Sequence, residues 1–216
     1  MKKLVILGGS GVGMIAANIA EGLEEFEMIG FLNGVIPVGE SIGRFKKYPV
    51  IGRTADLTDF LQAGCYFFIA YVGLGREKET FQKVEDLSIP ESRLATLIHA
   101  TAVVPKEMCS LGNGVLIGPL AQLSPDTTLE NHSIILGGAF LGHDSTLRKF
   151  AHIASNSVIG ANVDVGQGVH VGTNSTVREH VHIGNYSLVG SGSVVLNDVG
   201  ENQVVVGNPA RLLRQR

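Results

Sequence analysis

LGHDSTLRKFAHIASNSVIGANVDVGQGVHVGTNSTV, residues 141–177, decides the fold. Leu141, Leu147, Ile153, Ile159, Val165, Val171 and Val177 recur at every sixth residue. The register continues outward without a break, back through Ile135, Leu129, Leu123 and Ile117 to Leu111, and on through Ile183 and Val189 to Val195. Four residues after each aliphatic position stands a small or slim residue, as at Ala139, Ser145, Ala151, Ser157, Val163 and Ser175. Glycine often follows the aliphatic residue directly, as at Gly142, Gly160 and Gly172. A helix would repeat at about 3.6 and a strand at about 2, so neither explains the pattern; a hexapeptide β-helix does. An ordinary sandwich of alternating strands would not hold such a register this long. Each hexad makes a short strand and a corner, and three hexads make a triangular coil. The aliphatic residue fills the interior, the small one lets coils stack, and glycine is expected to relax the corner backbone. The register accounts for about five coils, a prism of roughly 24 Å at ordinary inter-strand spacing.

Residues 1–96 carry a different pattern and are expected to form a separate α/β domain, leaving 97–216 for the β-helix. Leu4–Leu7, Met28–Leu32, Pro49–Gly52, Cys65–Tyr71 and Leu94–Ile98 have strand character, and Met14–Leu23, Thr54–Gln62 and Arg76–Leu87 have helix character. Strands alternating with helices predict a parallel sheet in a truncated Rossmann-like unit. The segment Val35–Tyr48 reads as loop. Gly8-Gly9-Ser10-Gly11-Val12-Gly13 lies between the first strand and helix, where backbone N–H groups can hold a phosphate. Its spacing is neither that of a P-loop nor G-x-G-x-x-G, and Asn33 stands where a dinucleotide site would place an acidic residue, which argues against NAD. Two readings remain for the loop: a cradle for the diphosphate of a nucleotide-linked ligand, or glycines needed only for a tight turn.

Composition agrees with a narrow solenoid, since the 216 residues contain no tryptophan and few aromatic residues. A formal charge of −3 gives no electrostatic case for nucleic acid or an anionic membrane. Cys65 and Cys109 stand far apart and suggest no disulfide framework, so a cytoplasmic location is expected. No stretch is long enough to span a membrane. The apolar start, Leu4 to Leu7, is broken at once by glycines and reads as a strand.

Six of the seven histidines (His132, His143, His152, His170, His180 and His182) fall within the six-residue register of the β-helix. The most informative is His143, at a corner of the hexad and directly followed by Asp144. A carboxylate beside an imidazole raises its basicity and fixes its tautomer, as suits a general base. Ala161, eighteen residues on, should stack on the same corner one coil away, with its backbone N–H free to meet a developing oxyanion. His152, His170 and His182 share the outward strand phase.

The order glycine-loop α/β domain, β-helix, His143-Asp144, His152 and the terminal Val206-Gly207-Asn208-Pro209-Ala210 resembles the NeuD/PglD family of bacterial sugar acetyltransferases. The resemblance covers nearly the whole chain and implies a left-handed β-helix. It also implies transfer of acetyl from acetyl-CoA, a co-substrate, to an amino or hydroxyl group of a nucleotide-activated or sialic-acid-type sugar, with no metal. By the family pattern His143 and Asp144 are catalytic, and His152, Ala161, Thr173 and Ser191 contact the coenzyme. Gly9, Ser10, Gly11, Val12, Asn33, Gly34 and Gly73 are the expected substrate contacts. Members using UDP-amino sugars often carry histidine where this chain has Val12, and aspartate where it has Asn33-Gly34. The nucleotide and the sugar are therefore left open.

The flat faces of the β-helix carry little charge between Ile153 and Val171, and the family forms trimers, so a homotrimer is expected, with no nucleic-acid or membrane partner. Two rivals remain. A metal hydratase like the γ-type carbonic anhydrases could recruit His143, His180 and His182, although the i,i+2 spacing turns the last two in different directions. A non-catalytic sugar-nucleotide-binding trimer would leave His143-Asp144 without a role.

Overall fold

A computed structural model describes residues 1–9, 11–71 and 75–216. The chain divides into two compact units. One holds most of the chain up to Leu97; the other holds Ile98–Arg216 and a short segment ending at Lys78. In the first unit, β1 (Lys2–Leu7), α1 (Val12–Glu21), β2 (Phe26–Leu32), β3 (Ser41–Ile42), β4 (Tyr48–Gly52), α2 (Leu57–Gln62), β5 (Tyr66–Ile69) and most of α3 (Glu77–Asp86) follow in order. The sheet order is β3-β4-β2-β1-β5. All its pairs are parallel except β3 with β4. Leu4, Val5, Ile6 and Leu7 are fully buried, as continuous apolar strands of parallel sheets are.

Two segments depart from expectation. The stretch read as loop contains β3, which turns back onto β4 through a tight corner at Gly43, whose φ is +106°. A two-residue strand between glycines leaves no periodic signal. Leu94–Ile98 is not a strand of the α/β sheet. Leu94 makes one isolated bridge to Phe67, and β6 (Leu97–Ile98) joins the β-helix instead.

The β-helix consists of three sheets of mostly two-residue strands, stacked in parallel at eighteen-residue intervals. Leu123, Leu141, Ile159, Val177 and Val195 form one interior column, each at most 4% exposed. The small residues lie inside the coil, where Ser145, Ser157 and Ser175 donate to the carbonyls of Gly160, Gly172 and Gly190 at 2.8–2.9 Å.

The corner glycines serve a different end from the one expected. Gly142, Gly160 and Gly172 do not have positive φ; a Cβ at any of them would stand 2.5–2.6 Å from the backbone of the next coil. The left-handed residues come later in the corner and are mostly not glycine: Asp126, Asp144, Asn162 and His180 have φ of 57–62°. Asn and Asp tolerate this conformation best, and stacked coils hold the others in it.

At its C-terminal end the chain folds back on itself. After Gln203–Val206 the chain passes a cis Asn208-Pro209 bond and folds back as Arg211–Gln215, antiparallel to the strand before it. Arg216 then donates from Nη2 to Glu77 Oε1 at 2.7 Å and from Nη1 to the Tyr186 carbonyl at 2.9 Å.

One outward face of the β-helix is covered. Leu116, Ile134, His152 and Val204 in the sheet containing β6 are at most 8% exposed, against 37% for Phe140 and 42% for Val158 in a neighbouring sheet. His152 and His170 are ladder partners on the covered face, edge to face with ring centroids 4.6 Å apart. Neither ring nitrogen of His152 finds a hydrogen-bond partner among the described residues. Burial, reinforced by His170, pushes His152 down to about 3. Burial also lowers His170, with Glu77 opposing.

Two predictions follow from this packing. Gly160→Ala should cost about 1–3 kcal/mol in thermal unfolding, because its Cβ would stand 2.6 Å from the Glu179 backbone nitrogen. Gly34→Ala, with nothing within 4 Å of its Cβ, should leave the transition in place. The second concerns pH. Unfolded His152 takes up a proton near 6.5, while folded His152 stays neutral down to about 3. Its contribution is therefore intact above about 6.5 and is lost as pH falls, by up to about 1.4 kcal/mol per unit. Denaturant titrations at pH 7 and pH 5 should differ accordingly, and His152→Phe should flatten the difference.

Candidate functional site

The corner following Phe140–Leu141 presents Gly142, His143 and Asp144. Asp144 takes the left-handed conformation shared by that corner position, and its Oδ2 lies 2.6 Å from His143 Nδ1. A carboxylate can only accept, so Nδ1 carries the hydrogen and the Nε2 lone pair is left for another proton. Both side chains are more than half exposed. On the next coil the His143 carbonyl accepts from the Asn162 N–H at 2.9 Å, which sets Ala161 on the same corner. Ala161 is half-buried, and its own N–H donates no hydrogen bond among the described residues. The corner thus combines an oriented imidazole and an unused backbone donor.

The other three residues expected at the coenzyme lie elsewhere on the prism. Thr173 and Ser191 are both exposed and stack one coil apart at a second corner, following His170–Val171 and Leu188–Val189. His152 lies on the covered face that leads to that second corner. It points outward from its coil as expected, yet it is buried against His170 rather than open to solvent. His180 shares the column of Asp144, and His182 lies on a third face with its Nδ1 3.3 Å from Asp164. No three or more His, Cys, Asp or Glu among the described residues form a group that could hold a metal.

The first unit has its own cavity, about 830 Å³, lined by Gly8, Gly9, Asn33, Gly34, Ser41, Thr54, Tyr71, Thr80 and Lys83 among others. Of the residues expected at the substrate, Gly9, Asn33 and Gly34 line it. Gly11 and Val12 do not; they form the start of α1. Ser10 and Gly73 lie outside the described residues. Asn33 is largely spent on the backbone: its Oδ1 accepts from the Val35 and Ile36 N–H groups at 2.8 Å, and its Nδ2 donates to the Gly8 carbonyl at 2.6 Å. Gly9 is required there, since a Cβ would stand 2.9 Å from Asn33 Nδ2. Tyr71 and Thr54, whose hydroxyls meet at 3.1 Å, and Thr80 and Lys83 on α3 escaped the sequence reading, because only the fold brings them together. No helix among the described residues is long and apolar enough to cross a membrane.

The profile of a family described as bacterial transferase hexapeptide (six repeats) matches residues 163–197. No curated protein matches the chain. Among solved structures, the chain is similar to the acetyltransferase domain of PglB from Neisseria gonorrhoeae, at 27% identity and a TM-score of 0.86, covering 99% of this chain and 100% of that one. It is similar to the same domain in complex with acetyl coenzyme A, at 26% identity and a TM-score of 0.85, covering 98% and 99%. PerB from Caulobacter crescentus, in complex with CoA and GDP-perosamine, shares the fold at 24% identity and a TM-score of 0.81, covering 99% and 98%. With the hexapeptide register and its parallel coils, these full-length likenesses bear out the resemblance read from the sequence: the chain is similar to bacterial sugar acetyltransferases of the hexapeptide-repeat, left-handed β-helix type.

Proposed function

We propose that the protein is an acetyl-CoA-dependent acetyltransferase acting on an amino or hydroxyl group of a nucleotide-activated or sialic-acid-type sugar in bacterial surface glycan synthesis. The observation that carries this reading is the His143–Asp144 contact of 2.6 Å, on a corner shared with the unused Ala161 N–H. In this mechanism the acceptor nitrogen or oxygen attacks the acetyl carbonyl as His143 Nε2 removes its proton. The tetrahedral oxyanion meets the Ala161 N–H, and the coenzyme sulfur departs, taking the proton back from His143. Asp144 holds the imidazole in its tautomer and stabilises the transient imidazolium. No acyl-enzyme forms, and the rate gain comes from positioning and base catalysis.

Thr173 and Ser191 take the coenzyme at the second corner, and His152 offers its unsatisfied imidazole to the pantetheine arm. That the proposed coenzyme contacts occupy two corners of one prism favours a homotrimer in which neighbours share each coenzyme. The uncharged outward ladder Gln122, Phe140, Val158, Thr176 and Val194 supplies a face for such packing. The N-terminal unit serves as a Rossmann-like nucleotide-sugar domain over residues 1–96, followed by the acetyltransferase β-helix over 97–216. The location consistent with this chemistry is the cytoplasm, where acetyl-CoA is made.

Incubation with acetyl-CoA and a panel of amino-sugar nucleotides, read by release of free thiol, tests the reading. His143→Asn should lower kcat by about 10²–10⁴-fold while acetyl-CoA affinity is unchanged. A variant that turns over at the normal rate would sink the mechanism.

A further inference from the structure

The interior serines Ser145, Ser157 and Ser175 each reach one coil onward and hold the carbonyl of a corner glycine. At Gly172 and Gly190 the corner does not depend on that reach. Each closes its own turn, because the Gly172 carbonyl also accepts from the Ser175 N–H, and the Gly190 carbonyl from the Ser193 N–H, both at 3.2 Å. The Gly160 corner is different. The Val163 N–H does not return to the Gly160 carbonyl; it donates to Ser145 Oγ at 3.0 Å, and Ser145 Oγ donates to that carbonyl at 2.9 Å. A hydroxyl has one hydrogen and two lone pairs, so it can do both at once. The alternative for its hydrogen, the His143 carbonyl, is more distant at 3.5 Å. Among the described residues nothing else donates to the Gly160 carbonyl.

The Gly160 carbonyl and the Ala161 N–H belong to one trans peptide unit, in which they point in opposite directions. Ser145 is fully buried, so a carbonyl held against its hydroxyl turns the Ala161 N–H away from the interior of the coil. Gly142 lets this unit sit close, since a Cβ there would stand 2.6 Å from the Ala161 nitrogen. We propose that Ser145 is a positioning residue for acetyl transfer: its hydroxyl replaces the missing turn bond and aims the Ala161 N–H at the oxyanion. The role rests on the reading of Ala161 as the oxyanion donor.

Steady-state kinetics and crystal structures of the wild type, Ser145→Ala, Ser145→Thr and Ser157→Ala test it. Ser145→Ala should lower kcat at least about tenfold, towards the roughly 10²–10³-fold that an oxyanion donor supplies. Its KM for acetyl-CoA and its pH profile should stay as in the wild type, because His143 and Asp144 are untouched. In its crystal structure the Gly160–Ala161 peptide should be turned, with the Val163 N–H closing on the Gly160 carbonyl. Ser145→Thr keeps the hydroxyl, and Thr127 fills the same interior place one coil earlier, so this variant should recover most of kcat. Ser157→Ala also loses a buried hydroxyl but keeps the turn bond at Gly172. It should match Ser145→Ala in thermal unfolding and keep the wild-type kcat. An unmoved Gly160–Ala161 peptide in Ser145→Ala, or an equal loss of kcat in Ser157→Ala, would overturn the role of Ser145. A turned peptide with a normal kcat would instead overturn Ala161 as the oxyanion donor, the reading beneath.

Discussion

The structure depends on backbone meeting backbone every eighteen residues. A β-strand spacing of about 4.8 Å leaves no room for a side chain where one corner lies on the next. The chain meets that constraint with glycine at Gly142, Gly160 and Gly172, where a Cβ would fall inside van der Waals contact. Everything else in the β-helix follows from this close stacking. The interior columns close over one another, the serine hydroxyls reach glycine carbonyls one coil away, and the later corner residues are held in the left-handed region whatever their side chain.

The same constraint builds the candidate site. Asp144 can reach back to His143 because its own backbone is left-handed, and that conformation belongs to the corner, not to the pair. Leu120, Phe150 and Tyr186 adopt it too, without any comparable chemistry. The repeat thus supplies the geometry, and the residues placed on one corner supply the reactivity. An architecture with no cleft of its own concentrates chemistry by register.

How much was legible in the sequence follows from which features repeat. A column sampled at every sixth residue declares itself, so the β-helix and the corner shared by His143 and Ala161 were both readable. Features that occur once were not. The two-residue strand Ser41–Ile42 has no period, and the returning strand Arg211–Gln215 looks like a basic tail until Arg216 is seen against Glu77. Glycine at the corner was legible as a position but not as a cause, since sequence cannot distinguish a backbone that needs positive φ from one that needs closeness. His152 was placed on the correct side of its strand, but its burial depends on what covers that face. The cavity was half legible: Gly9, Asn33 and Gly34 are neighbours in the glycine-loop pattern, while Lys83 and Tyr71 reach the cavity from separate elements.

The position of His143 within the stack has a dynamic consequence. In a solenoid each coil is held mainly by the coil above and the coil below, so opening begins at the ends and works inward. Coils bearing Leu123 and Ile159 flank the one that carries His143, with the Val103 bridge beyond the first and the coils of Val177 and Val195 beyond the second. Fraying at either end would reach the His143 corner late, which lets a side-chain pair more than half exposed to water keep a fixed alignment.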